Sequence, residues 1–271
     1  MALSRPEARA TAGLSWPGAG PQTAVLSIVL VVAAIAAGTS MQRVAGMGFA
    51  MISAPMLVLL LGPREGVLLV NLAGALTSAL VMSRVWREVE WRRLGVLAPT
   101  GAVGVLAGAV VAARTPAALL EVVVGSLIAL GLTAVLLARR ATPVRGNPIT
   151  VLFGAVSGAS SVMAGTAGPA MSVYAVLVRW DQRRMAATVQ PFFVVIALGS
   201  VVAKSVAGPA TLPDFSIAMW AACLAAALGG LAVGELVSRR VAARAARRLT
   251  FVVAYLGSLS TIVHGVVGLT G

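Results

Sequence analysis

The chain has 271 residues, 59% of them hydrophobic and only 11% charged, with a mean hydropathy of +0.97. A water-soluble domain carries roughly 25% charge, so an ordinary soluble enzyme or binding module is excluded and an integral membrane protein is indicated. The net charge of +13 does not point to nucleic acid, because the arginines fall in short loops between apolar runs, where the positive-inside rule puts them.

Residues 1–23 form a polar N-terminal tail. Arg5, Arg9, the apolar run from Ala24 and the small residues that follow imitate a secretory signal. An internal counterpart of that run speaks against removal. From there the hydropathy marks ten segments, at 24–45, 49–62, 66–83, 94–112, 117–138, 149–164, 168–179, 186–203, 214–238 and 248–270. Two of them, 49–62 and 168–179, are too short to cross a bilayer comfortably, and each follows a glycine-broken junction. With 29 Gly and few aromatics the chain reads as closely packed helices, since a β-barrel would alternate in ten-residue segments.

The two halves match. Gly46-Met47-Gly48-Phe49-Ala50-Met51 corresponds to Gly165-Thr166-Ala167-Gly168-Pro169-Ala170-Met171 with one residue inserted. At an offset of 119, Ser53 falls on Ser172 and Asn71 on Gln190; Gly104 and Gly108 are echoed by Gly230 and Gly234, and Gly125 by Gly257. The expected organisation is a first transmembrane repeat over 24–140, a cytoplasmic linker at 141–148, and a second repeat over 149–271. Four loops, at 84–93, 139–145, 179–184 and 239–248, hold fifteen basic residues, against Arg64, Arg114 and Lys204 in the remaining ones. With the rich loops in the cytoplasm, equivalent loops of the two halves fall on opposite sides. The predicted fold is therefore an all-α polytopic membrane protein of two inverted-topology repeats, about five hydrophobic segments each, with broken or re-entrant helices. This orientation puts Arg5 and Arg9 outside, against the rule, but the internal loops outvote them.

Irregular backbone at membrane depth is tolerated only inside the protein or along a cavity, and transporter sites form where helices break. A helix restarting at Pro169 aims free N–H groups and a positive dipole end at the gap, which favours an anion. The candidate substrate-binding residues are Gln42, Arg43, Gly46, Gly48 and Asn71 in the first half, and Ser161, Gly165, Thr166, Gly168 and Gln190 in the second. Arg43 places a full charge beside the first break, either at the site or snorkelling to the interface. Asn71 and Gln190 offer amide donors, to a ligand or to neighbouring helices. Ser157, Ser160, Ser161 and Thr166 can donate to an oxyanion or bond back to their own helix. His264 reads as a structural histidine before a proton carrier, and Cys223 as packing. No metal cluster, cofactor motif or catalytic motif is present, so the chain is not expected to be an enzyme.

The glycine junctions with a nearby proline (Gly46, Gly48 and Pro55; Gly165, Gly168 and Pro169) and the Gly-x-x-x-Gly pairs resemble the TauE/SafE sulfite exporter family of permeases, from about Ala24 to Gly268. Membership implies a secondary transporter that exports sulfite or a small organosulfur anion across the bacterial inner membrane, with the basic loops cytoplasmic. The expected partners are a small anion of the sulfite or sulfonate class and the lipid bilayer; a homo-oligomer is compatible with this reading. An anion channel, a carrier for a neutral solute and a non-transporting subunit of a membrane complex are the alternative readings.

Overall fold

The structure is a computed structural model that describes residues 21–45, 49–138, 141–144, 146–207, 212–238, 240 and 243–270. In chain order the helices are α1 (Pro21–Ala45), α2 (Phe49–Val85), α3 (Trp91–Arg114), α4 (Ala117–Ala138), α5 (Asn147–Ala164), α6 (Gly168–Leu177), α7 (Gln182–Ala207), α8 (Ile217–Ser238) and α9 (Ala243–Thr270). Among the described residues there is no strand, and eight helices are long and apolar enough to cross a membrane, with α6 the short exception. Helices satisfy all their backbone polar groups internally, as a lipid environment demands. The chain is an all-α, multi-pass membrane protein.

The long α2 is not one rod. At Gly62 the backbone takes φ 80° and ψ 167°, a conformation open to glycine but strained for other residues. The chain reverses there: a side chain on Gly66 would lie 2.5 Å from the Leu57 carbonyl oxygen, and Gly74 faces the Phe49 ring. Residues 49–61 and 63–85 are thus two arms of a hairpin, close to the expected segments 49–62 and 66–83. The corresponding reversal in the other half is the turn between α6 and α7.

Small residues set the helix contacts. Gly101, Gly104 and Gly108 of α3 press on Gly158, Ala155 and Ala159 of α5, so these helices run in the same direction. Gly230 and Gly234 of α8 lie on Ala36 and Ser40 of α1, again in parallel. Gly125 of α4 meets Ser258 of α9 while Gly265 meets Ala118, an antiparallel pair. The Gly-x-x-x-Gly pairs therefore pack helices, as small-residue motifs do in membranes.

These contacts exchange helices between the halves. One apolar core joins α1, α2 and α4 to α8, around Ile35, Leu57, Ile128 and Cys223. The other joins α3 to α5, α6 and α7, around Leu97, Val162, Tyr174 and Phe192. Three of the basic loops gather at one end: Arg183 donates to Glu88 at 2.7 and 2.8 Å, and the Val144 N–H donates to the Leu177 carbonyl at 2.9 Å. At that end the Arg93 guanidinium lies 4.3 Å over the Trp180 ring.

Candidate functional site

The two junctions meet. The end of α1 and the start of α2 face the α5–α6 turn across a half-open cavity of about 50 Å³, flanked by the second arm of α2 and by α7. That is room for a few waters or a small oxyanion. From the first half Gln42, Met51 and Asn71 reach it; from the second, Ser161, Gly165, Thr166 and Gly168. Gly46 and Gly48 lie outside the described residues.

The α5–α6 turn follows from its residues. Gly165 adopts the left-handed conformation, φ 70°, and its N–H closes α5 on the Ser161 carbonyl at 2.9 Å. Pro169 occupies the first turn of α6, where its missing N–H costs nothing. The Met171 N–H is paired with the Ala167 carbonyl at 3.1 Å, and the N–H groups before it have no acceptor inside the helix. Ala167, at the N-cap, provides no side-chain cap. The positive end of α6 is therefore left to whatever occupies the cavity. Thr166 makes the same point more sharply, since its hydroxyl is buried at the cavity wall with no hydrogen-bond partner. A second unpartnered hydroxyl, that of Ser157, lies two turns further back on α5.

Two polar contacts tie the halves together around the cavity. Asn71 donates to the Ser161 carbonyl at 3.0 Å and accepts from the Ser161 hydroxyl at 2.9 Å, and Ser200 of α7 donates to Ser161 at 3.2 Å. Gln42 donates to Gln190 at 3.4 Å and to Ser78 at 3.3 Å, and accepts from Thr77 at 3.1 Å. The offset that carries Asn71 to Gln190 also carries Gln42 to Ser161, so both bridges join the same pair of positions. Gln190 itself stands behind Gln42 rather than in the cavity wall. Thr77, Ser78 and Ser200 went unnoticed in the sequence; Ser78 stands seven positions from Asn71 on the same helical face, which is the signal that could have found it.

Arg43 requires a correction. It does not line the cavity: its side chain turns to α8 and pairs with Glu235, the Nε donating to a carboxylate oxygen at 2.6 Å. Neighbouring residues on a helix point about 100° apart, so Gln42 faces the cavity and Arg43 the next helix. The pair is about one-third exposed on both sides, and the charge expected at the site is spent on a carboxylate from the other half. His264, for which the sequence offered no partner, pairs through Nδ1 with the Glu121 carboxylate at 2.5 Å across the α4–α9 seam. That seam is away from the cavity. Cys223 is buried in the α1–α8 core, as packing requires.

No charged side chain lines the cavity among the described residues. An oxyanion placed here would meet a helix start, backbone N–H groups, hydroxyls and amides, the groups by which helix N-termini recognise oxyanions. No curated protein and no solved structure matches the chain. The family model described as Sulfite exporter TauE/SafE does match, over residues 30–261, and with eight apolar helices around a broken-helix cavity the chain belongs to that family of membrane transporters.

Proposed function

We propose that the chain exports sulfite, or an organosulfur anion of similar size, across the bacterial inner membrane, and that the cavity between the two helix junctions holds the anion in transit. One observation carries this reading: the unpartnered Thr166 hydroxyl, buried at the start of a helix whose first N–H groups face the same space. An unpaired buried hydroxyl costs about 1–3 kcal/mol, and a ligand oxygen accepting from it would recover that. Asn71, Ser161 and Gln42 then form the walls that turn with the ligand, and the basic end faces the cytoplasm. Because each core is built from helices of both halves, the reading implies alternating access by rocking of the two cores about the cavity.

The test is uptake of sulfite and of small sulfonates into liposomes holding the purified protein, with Thr166→Val in parallel. The expected result is saturable flux in the parent and a KM about tenfold higher in the variant. Flux that rises without saturating would make the protein a channel. Failure of the parent to move any small anion would return the cavity to a neutral solute.

A further inference from the structure

A second cavity, far from the junctions, opens at the basic end. It is half-open, holds about 470 Å³, and lies between the start of α3, the start of α5 and the end of α6. It shares no lining residue with the central cavity. Thr150 in its wall and Ser161 in the central one are eleven residues apart on α5, about 16 Å of helix.

Positive charge gathers in this wall. Arg92 and Arg93 line it, against the single carboxylate of Glu90. Glu90 is already engaged: it accepts from the Trp180 indole N–H at 3.2 Å and lies 3.5 Å from Arg93 Nε and 3.9 Å from Arg184. That leaves Arg93 half satisfied, for its Nη1 is buried with no hydrogen-bond partner. Among the described residues no carboxylate lies within 4 Å of Arg92. The start of α5 borders the same space: its N-cap Gly146 and the following Asn147 line the cavity, and no side chain caps the helix. The first N–H groups of a helix have no acceptor within it, so the positive end of α5 adds to the two arginines. Two buried wall residues, Thr150 and Tyr174, share one hydrogen bond of 2.8 Å, and a pair of hydroxyls joined by one bond keeps a proton to donate.

An unpaired buried guanidinium nitrogen, a second free arginine and an uncapped helix start around one cavity suit an anion with several oxygens. The volume suits a ligand larger than the central cavity can take. Trp86 and Trp91, both more than half exposed, mark the headgroup level of a membrane, and Arg92 and Arg93 follow directly on Trp91. We propose that this cavity binds a phosphate-bearing anion, at the depth where the headgroup of an anionic phospholipid lies. The site stands apart from the transport reading and holds whatever the central cavity carries.

The melting temperature of the purified protein, stripped of lipid in an uncharged detergent, tests this at constant ionic strength with phosphatidylglycerol, phosphatidylcholine or free glycerol phosphate added. Phosphatidylglycerol should raise it and phosphatidylcholine should not. Arg92→Gln should weaken the apparent affinity about fivefold, the worth of one basic residue near an anionic surface. Arg93→Gln should weaken it about tenfold or more, as for losing a hydrogen bond to a charged group. Because Arg93 also holds Glu90 and Trp180, its variant can misfold; Arg92, exposed and without an ion pair, keeps the test sharp. Arg87→Gln, at an exposed arginine of the same end outside the cavity, should keep the full shift. A rise with free glycerol phosphate that both cavity variants lose would support the phosphate site and make a soluble ligand its source. A rise that Arg92→Gln and Arg93→Gln keep, or that Arg87→Gln loses as fully as they do, would overturn the site in favour of general surface charge. A parent that responds to neither phosphatidylglycerol nor glycerol phosphate would overturn it outright.

Discussion

Adjacent glycines on α8 give a sharp test of the packing. Gly229 has nothing within 4 Å of where a side chain would start, whereas a methyl on Gly230 would lie 2.5 Å from the Ala36 carbonyl oxygen and 3.1 Å from the Ala36 Cα of α1. Ordinary contact begins at 3.4 Å, so Gly230→Ala must push α1 and α8 apart by roughly 0.9 Å, enough to forfeit a quarter or more of the dispersion along the seam. The Ser40 hydroxyl donates to the Gly230 carbonyl at 2.9 Å, and the same displacement stretches that bond past hydrogen-bonding range. Overpacking costs about 1–3 kcal/mol, and an interhelical hydrogen bond in a membrane about 0.6 kcal/mol. Alanine returns about 0.8–1 kcal/mol of helix propensity. Gly230→Ala should therefore be destabilised by about 1–3 kcal/mol, while Gly229→Ala gains up to about 1 kcal/mol. At about 2–4 °C per kcal/mol for a chain of this length, the two variants should melt on opposite sides of the parent in a detergent thermal scan. Equal melting temperatures would refute the seam as drawn.

Arg43→Ala should leave the KM for sulfite within twofold and cost less than about 1 kcal/mol, as expected of a partly exposed pair; a tenfold rise in liposome flux assays would put the guanidinium back at the site. Thr166→Val should leave the unliganded protein as stable as the parent, or slightly more so, because the hydroxyl it deletes has no partner. A melting scan without sulfite checks this apart from transport. Asn71→Leu removes both contacts to Ser161 and should destabilise by about 1–3 kcal/mol while weakening sulfite binding; unchanged stability would mean the bridge does not form. His264→Leu leaves the Glu121 carboxylate short of a partner in an apolar seam and should cost about 1–3 kcal/mol, with Glu121→Leu added on top restoring part of it. Additive losses in the double variant would contradict the pairing.

Hydropathy and glycine placement were enough to read the helical class, the segment boundaries and the two junctions, because membrane spans and helix breaks leave strong local patterns. Gln42, Asn71, Ser161 and Thr166 were legible for the same reason: polar side chains beside a break inside an apolar chain are few. What stayed hidden depends on helix rotation and on partners far away in sequence. A difference of one residue separates Gln42, in the cavity wall, from Arg43, on α8, and nothing local tells which of the two faces inward. Glu235 is 192 positions from Arg43, and Glu121 is 143 from His264, so neither pair could be read from helical spacing.

The exchange of helices between the halves has a consequence for biogenesis. When α1 enters the bilayer, the helix it will rest on has not yet been made: the Ser40–Gly230 contact spans 190 positions. Its small-residue face, with Ala36 and Ser40, must wait among lipids through the synthesis of seven further helices. The first half alone cannot complete either core, because α3 likewise waits for α5. Assembly is thus a late event, after insertion, and a ribosome that stops after α4 leaves spanning helices without their α5, α8 and α9 partners. Supplying residues 141–271 as a separate polypeptide in the same membrane should complete them.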